Sequence, residues 1–186
     1  MKRPGKMLEQ PHPGLRESAV LAPLFMRDGQ PYLVFTKRRA ALRNHGGQIS
    51  FPGGARDPDD STPLHTALRE TREELGIPPE KIEALGMLDE VPTITNYRIL
   101  PFVGAIPTDF AYLPSPDEIE KVIEVPLVHL FNPSVHRVER RWVLESEREI
   151  YFYDYGPNVI WGVTARILRG LLQLIGGLPA FQRFRS

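Results

Sequence analysis

The chain has 186 residues, 41% of them hydrophobic, a length that favours one domain over two. Its 23 basic and 23 acidic residues cancel, which argues against broad electrostatic capture of nucleic acid or of an anionic membrane. There is no cysteine, so disulfides and thiolate metal sites are excluded. The N-terminal segment has no apolar core typical of a signal peptide. We therefore expect a cytoplasmic protein, monomer or homodimer, that acts on a small molecule rather than on nucleic acid or at a membrane.

The first part of the chain predicts a lead-in followed by a hairpin. Residues 1–17 are polar and interrupted by proline, and we expect a single domain over residues 18–186. The dipeptide Asp28-Gly29 separates two runs rich in β-branched and aromatic residues, a pattern typical of a hairpin turn. We predict strands at about 18–26 and 31–37, and a short strand at 48–51 that ends in a Gly-Gly turn.

The next segment predicts a helix with clear start and stop signals. Asp60, Ser61 or Thr62 can cap its N-terminus, and Pro63 is tolerated in the first turn. Gly76 is the predicted stop. Apolar residues recur at helical spacing between these limits, at Leu64, Ala67, Leu68 and Leu75.

The second half of the chain predicts more strands and a final helix. The strands are expected at 85–90, 99–106 and 120–125, followed by a hairpin of 140–144 and 150–153. The last helix is expected over about 158–175, with Val159 on its apolar face and Trp161 in the core. Together these elements predict an α/β fold with a mixed sheet.

The predicted first helix carries three carboxylates close together. At about 100° per residue, Glu70 and Glu74 lie about 40° apart around the helix axis, and Glu73 lies about 60° to the other side of Glu70. Like charges this close repel one another, so the cluster favours a bound cation. Carboxylate oxygens are hard ligands suited to Mg²⁺ or Mn²⁺. Glutamate-rich faces are also common on ordinary solvated helices, so this pattern alone leaves both interpretations open.

The segment FPGGARDPDDSTPLHTALRETREELGI, residues 51–77, resembles the Nudix box, written GX5EX7REUXEEXGU with U an aliphatic residue. Three features depart from that pattern. Asp60 stands at the first acidic position, eight rather than seven residues separate it from Arg69, and Thr71 fills an aliphatic position. The core matches at Arg69, Glu70, Glu73, Glu74, Gly76 and Ile77. The resemblance implies a Nudix-type α/β/α sandwich with a mixed β-sheet.

A second resemblance overlaps the first. The segment FTKRRAALRNHGGQISFPGG, residues 35–54, is similar to the signature of the coenzyme A pyrophosphatase branch of Nudix hydrolases. Arg39 replaces the small residue of that signature, and the segment IWGVTARIL, residues 160–168, also looks like this branch. The matching positions are Thr36, Arg38, Arg43, Gly47, Phe51, Pro52, Gly53 and Gly54.

These resemblances imply a metal centre that hydrolyses a diphosphate. Glu70 and Glu74 are the expected principal Mg²⁺ or Mn²⁺ ligands, with Glu73 as a further ligand or water holder and a carbonyl of Gly53 or Gly54 completing the shell. Arg69 is expected to orient one of these glutamates by a charge-assisted hydrogen bond.

The remaining roles concern the base and the substrate. The general base is either a box glutamate or a loop acid, and among the loop acids Glu118 is favoured over Glu120. Arg38 and Arg43 are expected to hold substrate phosphates, because guanidinium groups bind phosphate oxygens in a bidentate way. The expected substrate is coenzyme A or a derivative, cleaved to 3′,5′-ADP and 4′-phosphopantetheine or its acyl form. The alternatives are another nucleoside diphosphate derivative, such as ADP-ribose or NADH, and a non-catalytic module that binds a nucleotide.

Overall fold

Strands form where apolar side chains alternate between two buried faces. The computed structural model describes residues 14–42, 45–143, 146–178 and 181. On the second strand, Leu33 and Phe35 pack into one hydrophobic cluster, whereas Val34 packs into another on the opposite face. The strands are β1 (Arg16–Arg27), β2 (Gln30–Arg38), β3 (Ile49–Ser50), β4 (Gly53–Ala55), β5 (Glu83–Met87), β6 (Val91–Pro92), β7 (Tyr97–Ala105), β8 (Ile119–Pro126), β9 (His136–Val143), β10 (Ser146–Tyr155) and β11 (Asn158–Trp161).

Within the described residues, eight strands form one mixed sheet. Its main path is β3-β2-β1-β7-β5, while β8 pairs with β2, β4 with β1 and β6 with β7. The pairing of β1 with β7 is parallel, and β1 pairs with β2 and β4 in the antiparallel sense. A second, antiparallel sheet has the order β11-β10-β9. This arrangement brings the ends of β2 and β4 close to the first helix.

The helices cover both faces of the larger sheet. They are α1 (Pro63–Leu75), α2 (Leu127–Phe131) and α3 (Gly162–Gly176). Ala67 and Leu75 of α1 belong to the cluster that contains Val34, and Leu168 and Leu171 of α3 belong to the cluster that contains Phe35. The predicted α/β sandwich with a mixed sheet is therefore confirmed. None of the helices in the described ranges is both long and apolar enough to cross a membrane.

Helix α1 begins and ends where the sequence predicts. Of the three candidate caps, Thr62 is used, and its side chain accepts a hydrogen bond from the backbone N–H of His65 at 3.1 Å. Pro63 occupies the first turn. Gly76 adopts a left-handed conformation with φ of 72°, and its N–H donates to the carbonyl of Arg72 at 2.8 Å. This orientation of α1 fixes the face that carries its glutamates.

The last helix begins later in the structure than the sequence predicts. Asn158–Trp161 is strand β11, paired with β10, and α3 starts only at Gly162. Gly156 and Gly162 both have positive φ, so a turn precedes the strand and a break follows it. Val159, predicted on an apolar helix face, is 38% exposed. Helix α2 and strands β4 and β6 were absent from the prediction.

A pair of glycine substitutions tests how α1 ends. At Gly76, the Cβ of alanine lies 2.8 Å from the Cβ of Leu113 and the left-handed backbone is strained, so Gly76→Ala lowers the free energy of unfolding by about 1–2 kcal/mol. At Gly170, inside α3, no heavy atom lies within 4 Å of an added Cβ. Gly170→Ala therefore raises the free energy of unfolding by about 0.5–1 kcal/mol. Urea unfolding measures both, and shifts of the same sign contradict this account.

Candidate active site

The carboxylates on α1 differ widely in exposure. The Glu74 side chain is 3% exposed, that of Glu70 is 18% and that of Glu73 is 57%. Buried carboxylates are stable only when they are protonated, hydrogen-bonded or matched by a positive charge. Each of the three has an arginine as a partner. The inner part of the cluster is therefore formed by Glu70 and Glu74, with Glu73 at its rim.

Arg69 joins α1 to the loop before it. Its Nε and Nη2 donate to the two oxygens of Asp60 at 3.1 and 3.0 Å, and Asp60 is 2% exposed. Its Nη1 donates to Glu70 at 2.9 Å and to Glu73 at 3.0 Å, and Nη2 also donates to the carbonyl of Ala55 at 3.2 Å. Arg69 holds the pKa of Asp60 far below its usual value, so Asp60 stays ionised. One guanidinium group therefore orders the loop, β4 and two box glutamates.

Glu74, near the end of α1, contacts two residues of β2. Arg38 Nη1 donates to Glu74 Oε1 at 3.2 Å, and the Thr36 hydroxyl donates to Oε2 at 3.3 Å. Burial raises the pKa of Glu74 to about 8; Arg38 opposes this shift, and Glu70 and Glu118 add to it. The sequence predicts no role for Thr36, although this residue belongs to the matched signature.

Gly54 lies directly against Glu70. A Cβ at this position would be 2.4 Å from Glu70 Oε1, so any side chain here would displace the carboxylate. The carbonyl of Gly54 accepts a hydrogen bond from the Ser18 hydroxyl at 2.7 Å, and Gly54 lies opposite Ala19 in the β1–β4 register. Burial raises the pKa of Glu70, and Arg69 opposes that shift.

Arg38 also reaches the loop before β8. Its Nη2 donates to Glu118 Oε2 at 3.2 Å, so Arg38 bridges Glu74 and Glu118. The backbone N–H of Ser115 donates to the carbonyl of Glu74 at 3.1 Å and fixes this loop on α1. Glu118 is 49% exposed and accessible to a ligand, whereas Glu120 pairs with Lys37 at 2.6 Å. Arg43, the other predicted phosphate ligand, lies outside the described residues.

The oxygen atoms of this site suit a hard divalent cation. Within the ranges that the structure describes, no three His, Asp or Glu side chains converge closely enough to hold an ion as they stand. Glu74 and Glu70 are paired instead with Arg38 and Arg69. Burial raises the pKa of both carboxylates, as expected of groups that an added cation would stabilise. Carboxylate oxygens such as theirs are the hard ligands that Mg²⁺ and Mn²⁺ prefer.

Comparison with known proteins identifies the family. The family model described as NUDIX domain matches residues 15–149. The chain belongs to the Nudix family. Nudix proteins bind small nucleotide derivatives, and hydrolysis is the activity that membership supports. In the REXXEE core, Arg69 donates hydrogen bonds to Glu70 and Glu73, whereas Glu74 accepts from Arg38 of β2.

Curated relatives agree with this assignment, and a solved structure shares the fold. The chain is 40% identical over 167 residues to the uncharacterized Nudix hydrolase NudL of Klebsiella pneumoniae, covering 88% of this chain and 85% of that protein. The NudL of Escherichia coli K12 is 38% identical over 164 residues, with the same coverage. A MutT/nudix family protein from Enterococcus faecalis has the same fold, with a TM-score of 0.58 at 15% identity, over 96% of this chain and 70% of that one.

Two of the three departures from the Nudix box have structural explanations. Asp60, at the first acidic position, is the buried partner of Arg69 and not the helix cap. Thr71, at an aliphatic position, is buried and donates its hydroxyl to the carbonyl of Ala67 at 2.7 Å. Because that bond satisfies its polar group, threonine fills the Nudix aliphatic position at little cost.

Trp161 was predicted in the core, and that prediction is wrong. Its side chain is 42% exposed on β11, where it stacks beside Phe152 with ring centroids 6.3 Å apart. The prediction failed because it treated this residue as helical, whereas its neighbour Ile160 is the residue that strand pairing turns into the core.

Removal of the Asp60 charge tests the role of Arg69 in stability. Asp60→Asn weakens the charge-assisted bonds to Arg69 and lowers the free energy of unfolding at neutral pH by about 2 kcal/mol. Since the folded-state pKa of Asp60 is lowered, the stabilisation is complete above the ordinary value of 3.8 and is lost as the pH falls below it. Denaturant unfolding at several pH values measures the difference. Asp59→Asn, at an exposed neighbour, is the control; equal losses in both variants would refute the assignment.

The amide substitution of Glu74 separates catalysis from folding. Glu74→Gln is expected to lower hydrolysis of nucleoside diphosphate derivatives by about 100-fold or more, because the predicted metal site loses the charge of one carboxylate. The raised pKa means that ionised Glu74 destabilises the metal-free protein as the pH rises from 4.5 to about 8. The metal-free variant is therefore at least as stable as the parent at pH 8. Glu118→Gln causes a smaller loss of turnover.

Steady-state kinetics and thermal unfolding measure these effects. Glu80→Gln, at an exposed glutamate outside the site, is the control for turnover and stability. Near-normal turnover in Glu74→Gln contradicts its assignment as a metal ligand.

Proposed function

We propose that this Nudix protein is a Mg²⁺- or Mn²⁺-dependent hydrolase that cleaves the diphosphate of coenzyme A or its derivatives. The products are 3′,5′-ADP and 4′-phosphopantetheine, or its acyl form. The observation that carries the proposal is the contact of Thr36 and Arg38 with Glu74. Thr36 and Arg38 belong to the segment similar to the coenzyme A signature, and Glu74 belongs to the Nudix box. The two motifs therefore meet in one site, which supports a role of both in binding one substrate.

The assignment of the metal rests on the donor set. Glu70 and Glu74 are the principal ligands, with Glu73 at the exposed rim and a carbonyl of Gly53 or Gly54 completing the shell, since the backbone at Gly54 lies against Glu70. When bound, a divalent ion neutralises charge on the diphosphate oxygens and lowers the pKa of a coordinated water. Arg69 orients Glu70 and Glu73 through its hydrogen bonds.

The remaining side chains act on the substrate itself. Arg38 has a guanidinium group that matches phosphate oxygens, and it is 22% exposed between Glu74 and Glu118. Binding of a phosphate by Arg38 frees the Glu118 carboxylate from its ion pair. Glu118, half exposed at the edge of the site, then accepts the proton of the attacking water. Arg43 is proposed as a second phosphate ligand on the same loop.

A substrate panel tests the proposal. With Mg²⁺ or Mn²⁺, we expect coenzyme A, its oxidised form and acyl derivatives to be hydrolysed with kcat/KM values at least about tenfold above those of ADP-ribose and NADH. Chromatography of the products should give 3′,5′-ADP and the phosphopantetheine half. A higher kcat/KM for ADP-ribose or NADH would show that the preferred substrate is another nucleoside diphosphate derivative. Nucleotide binding without metal-dependent turnover contradicts the enzymatic proposal.

A further inference from the structure

Strand β8 leaves one edge open beside the proposed active site. Among the described residues, β8 pairs only with β2. In an antiparallel pair, alternate residues direct their N–H and C=O groups away from the partner strand. An open edge of this kind can bind another extended chain through backbone hydrogen bonds. The open edge of β8 is therefore a row of donors and acceptors.

A groove of about 360 Å³ follows this edge. Lys121 to Glu124 of β8 line it together with Tyr112, Tyr155 and Asn158. Tyr112 packs with the hydrophobic cluster on the α1 side of the sheet, and Tyr155 packs with the cluster on the α3 side. The groove therefore straddles the strand edge, and its volume falls within the range of small-molecule sites.

The groove begins close to the proposed catalytic centre. Glu118 directly precedes β8, and the first β8 residue, Ile119, lies opposite Arg38 in the β2–β8 register. Lys121 follows two residues later, opposite Lys37. A ligand whose phosphate contacts Arg38 can therefore continue along β8 into the groove.

The groove lining suits an uncharged, amide-bearing ligand. Its described residues include one cation, Lys121, and one anion, Glu124, and no arginine. Glu124 is already paired with Arg27 at 2.6 Å. Asn158 offers both a donor and an acceptor, and the two tyrosine rings offer apolar faces, while the Tyr112 hydroxyl is bonded to Glu124. A nucleotide carrying a second phosphate finds no guanidinium fork among these side chains.

We propose that the pantetheine arm of the substrate lies along the open edge of β8 as an added strand. This inference rests on the proposed function, and it states which half of the substrate binds in the groove. The two amides of the arm are the groups that backbone N–H and C=O bind. From Ile119 to Glu124 the strand extends about 16 Å, at about 3.3 Å per residue. The extended arm, from its phosphorus to its sulfur, also measures about 16 Å.

Backbone amide NMR tests the location of the arm without turnover. Titration of 4′-phosphopantetheine into the isotope-labelled protein should shift alternate amides between Lys121 and Glu124 and slow their hydrogen exchange. Titration of 3′,5′-ADP should leave those amides unchanged. The inference is overturned if the β8 amides do not respond to phosphopantetheine, or if 3′,5′-ADP shifts the same amides.

Variants at Asn158 test specificity. Loss of one hydrogen bond in Asn158→Ala should raise KM for coenzyme A about fivefold with little change in kcat. KM for the methyl diphosphate ester of 3′-phosphoadenosine, which has the diphosphate but no arm, should not change. Gln173→Ala, at an exposed side-chain amide outside the groove, is the matched control. An unchanged KM for coenzyme A, or an equal rise for both substrates, contradicts the inference.

The two proposals fail in different ways. If coenzyme A is not hydrolysed, the proposed function is wrong. The phosphopantetheine titration still tests, independently, whether the groove binds the arm. If coenzyme A is hydrolysed but the β8 amides do not respond, only the assignment of the groove is wrong.

Discussion

The site depends on the buried ion pair between Arg69 and Asp60. Two parallel hydrogen bonds hold the guanidinium group in one orientation, and Asp60 is almost fully buried beneath it. A bidentate pair of this kind fixes geometry as well as charge. The remaining donors of Arg69 then reach Glu70, Glu73 and the carbonyl of Ala55. The loop, the end of β4 and the carboxylate face of α1 are thereby held in one arrangement.

This arrangement places several carboxylates close together on α1, and residues of the sheet supply the remaining contacts. The Arg38 side chain, at the end of β2, pairs with the most buried glutamate and with Glu118 before β8. Gly54 allows β4 to approach Glu70 without a side chain between them. The proposed metal centre, the base and the phosphate ligand therefore come from α1, β2, β4 and the loop before β8, and the register of the sheet sets the distances among them.

The sequence correctly predicted the elements whose start, stop and spacing signals lie within the element itself. The limits of α1 follow from Thr62, Pro63 and Gly76, and the box carboxylates follow from their helical spacing. The start of α3 was wrong because Asn158–Trp161 pairs with a distant strand, and no periodicity within the segment reports that pairing. The bond from Thr36 to Glu74 depends in the same way on packing between β2 and α1. Tertiary pairing, rather than propensity, decides such positions.

Binding of Mn²⁺, followed by electron paramagnetic resonance, tests the central claim most directly, because it needs no substrate. The parent protein should bind the ion in a saturable way, and replacement of both Glu70 and Glu74 by glutamine should remove that binding while the protein remains folded. Undiminished binding by the folded double variant would contradict the assignment of this carboxylate cluster as the metal centre.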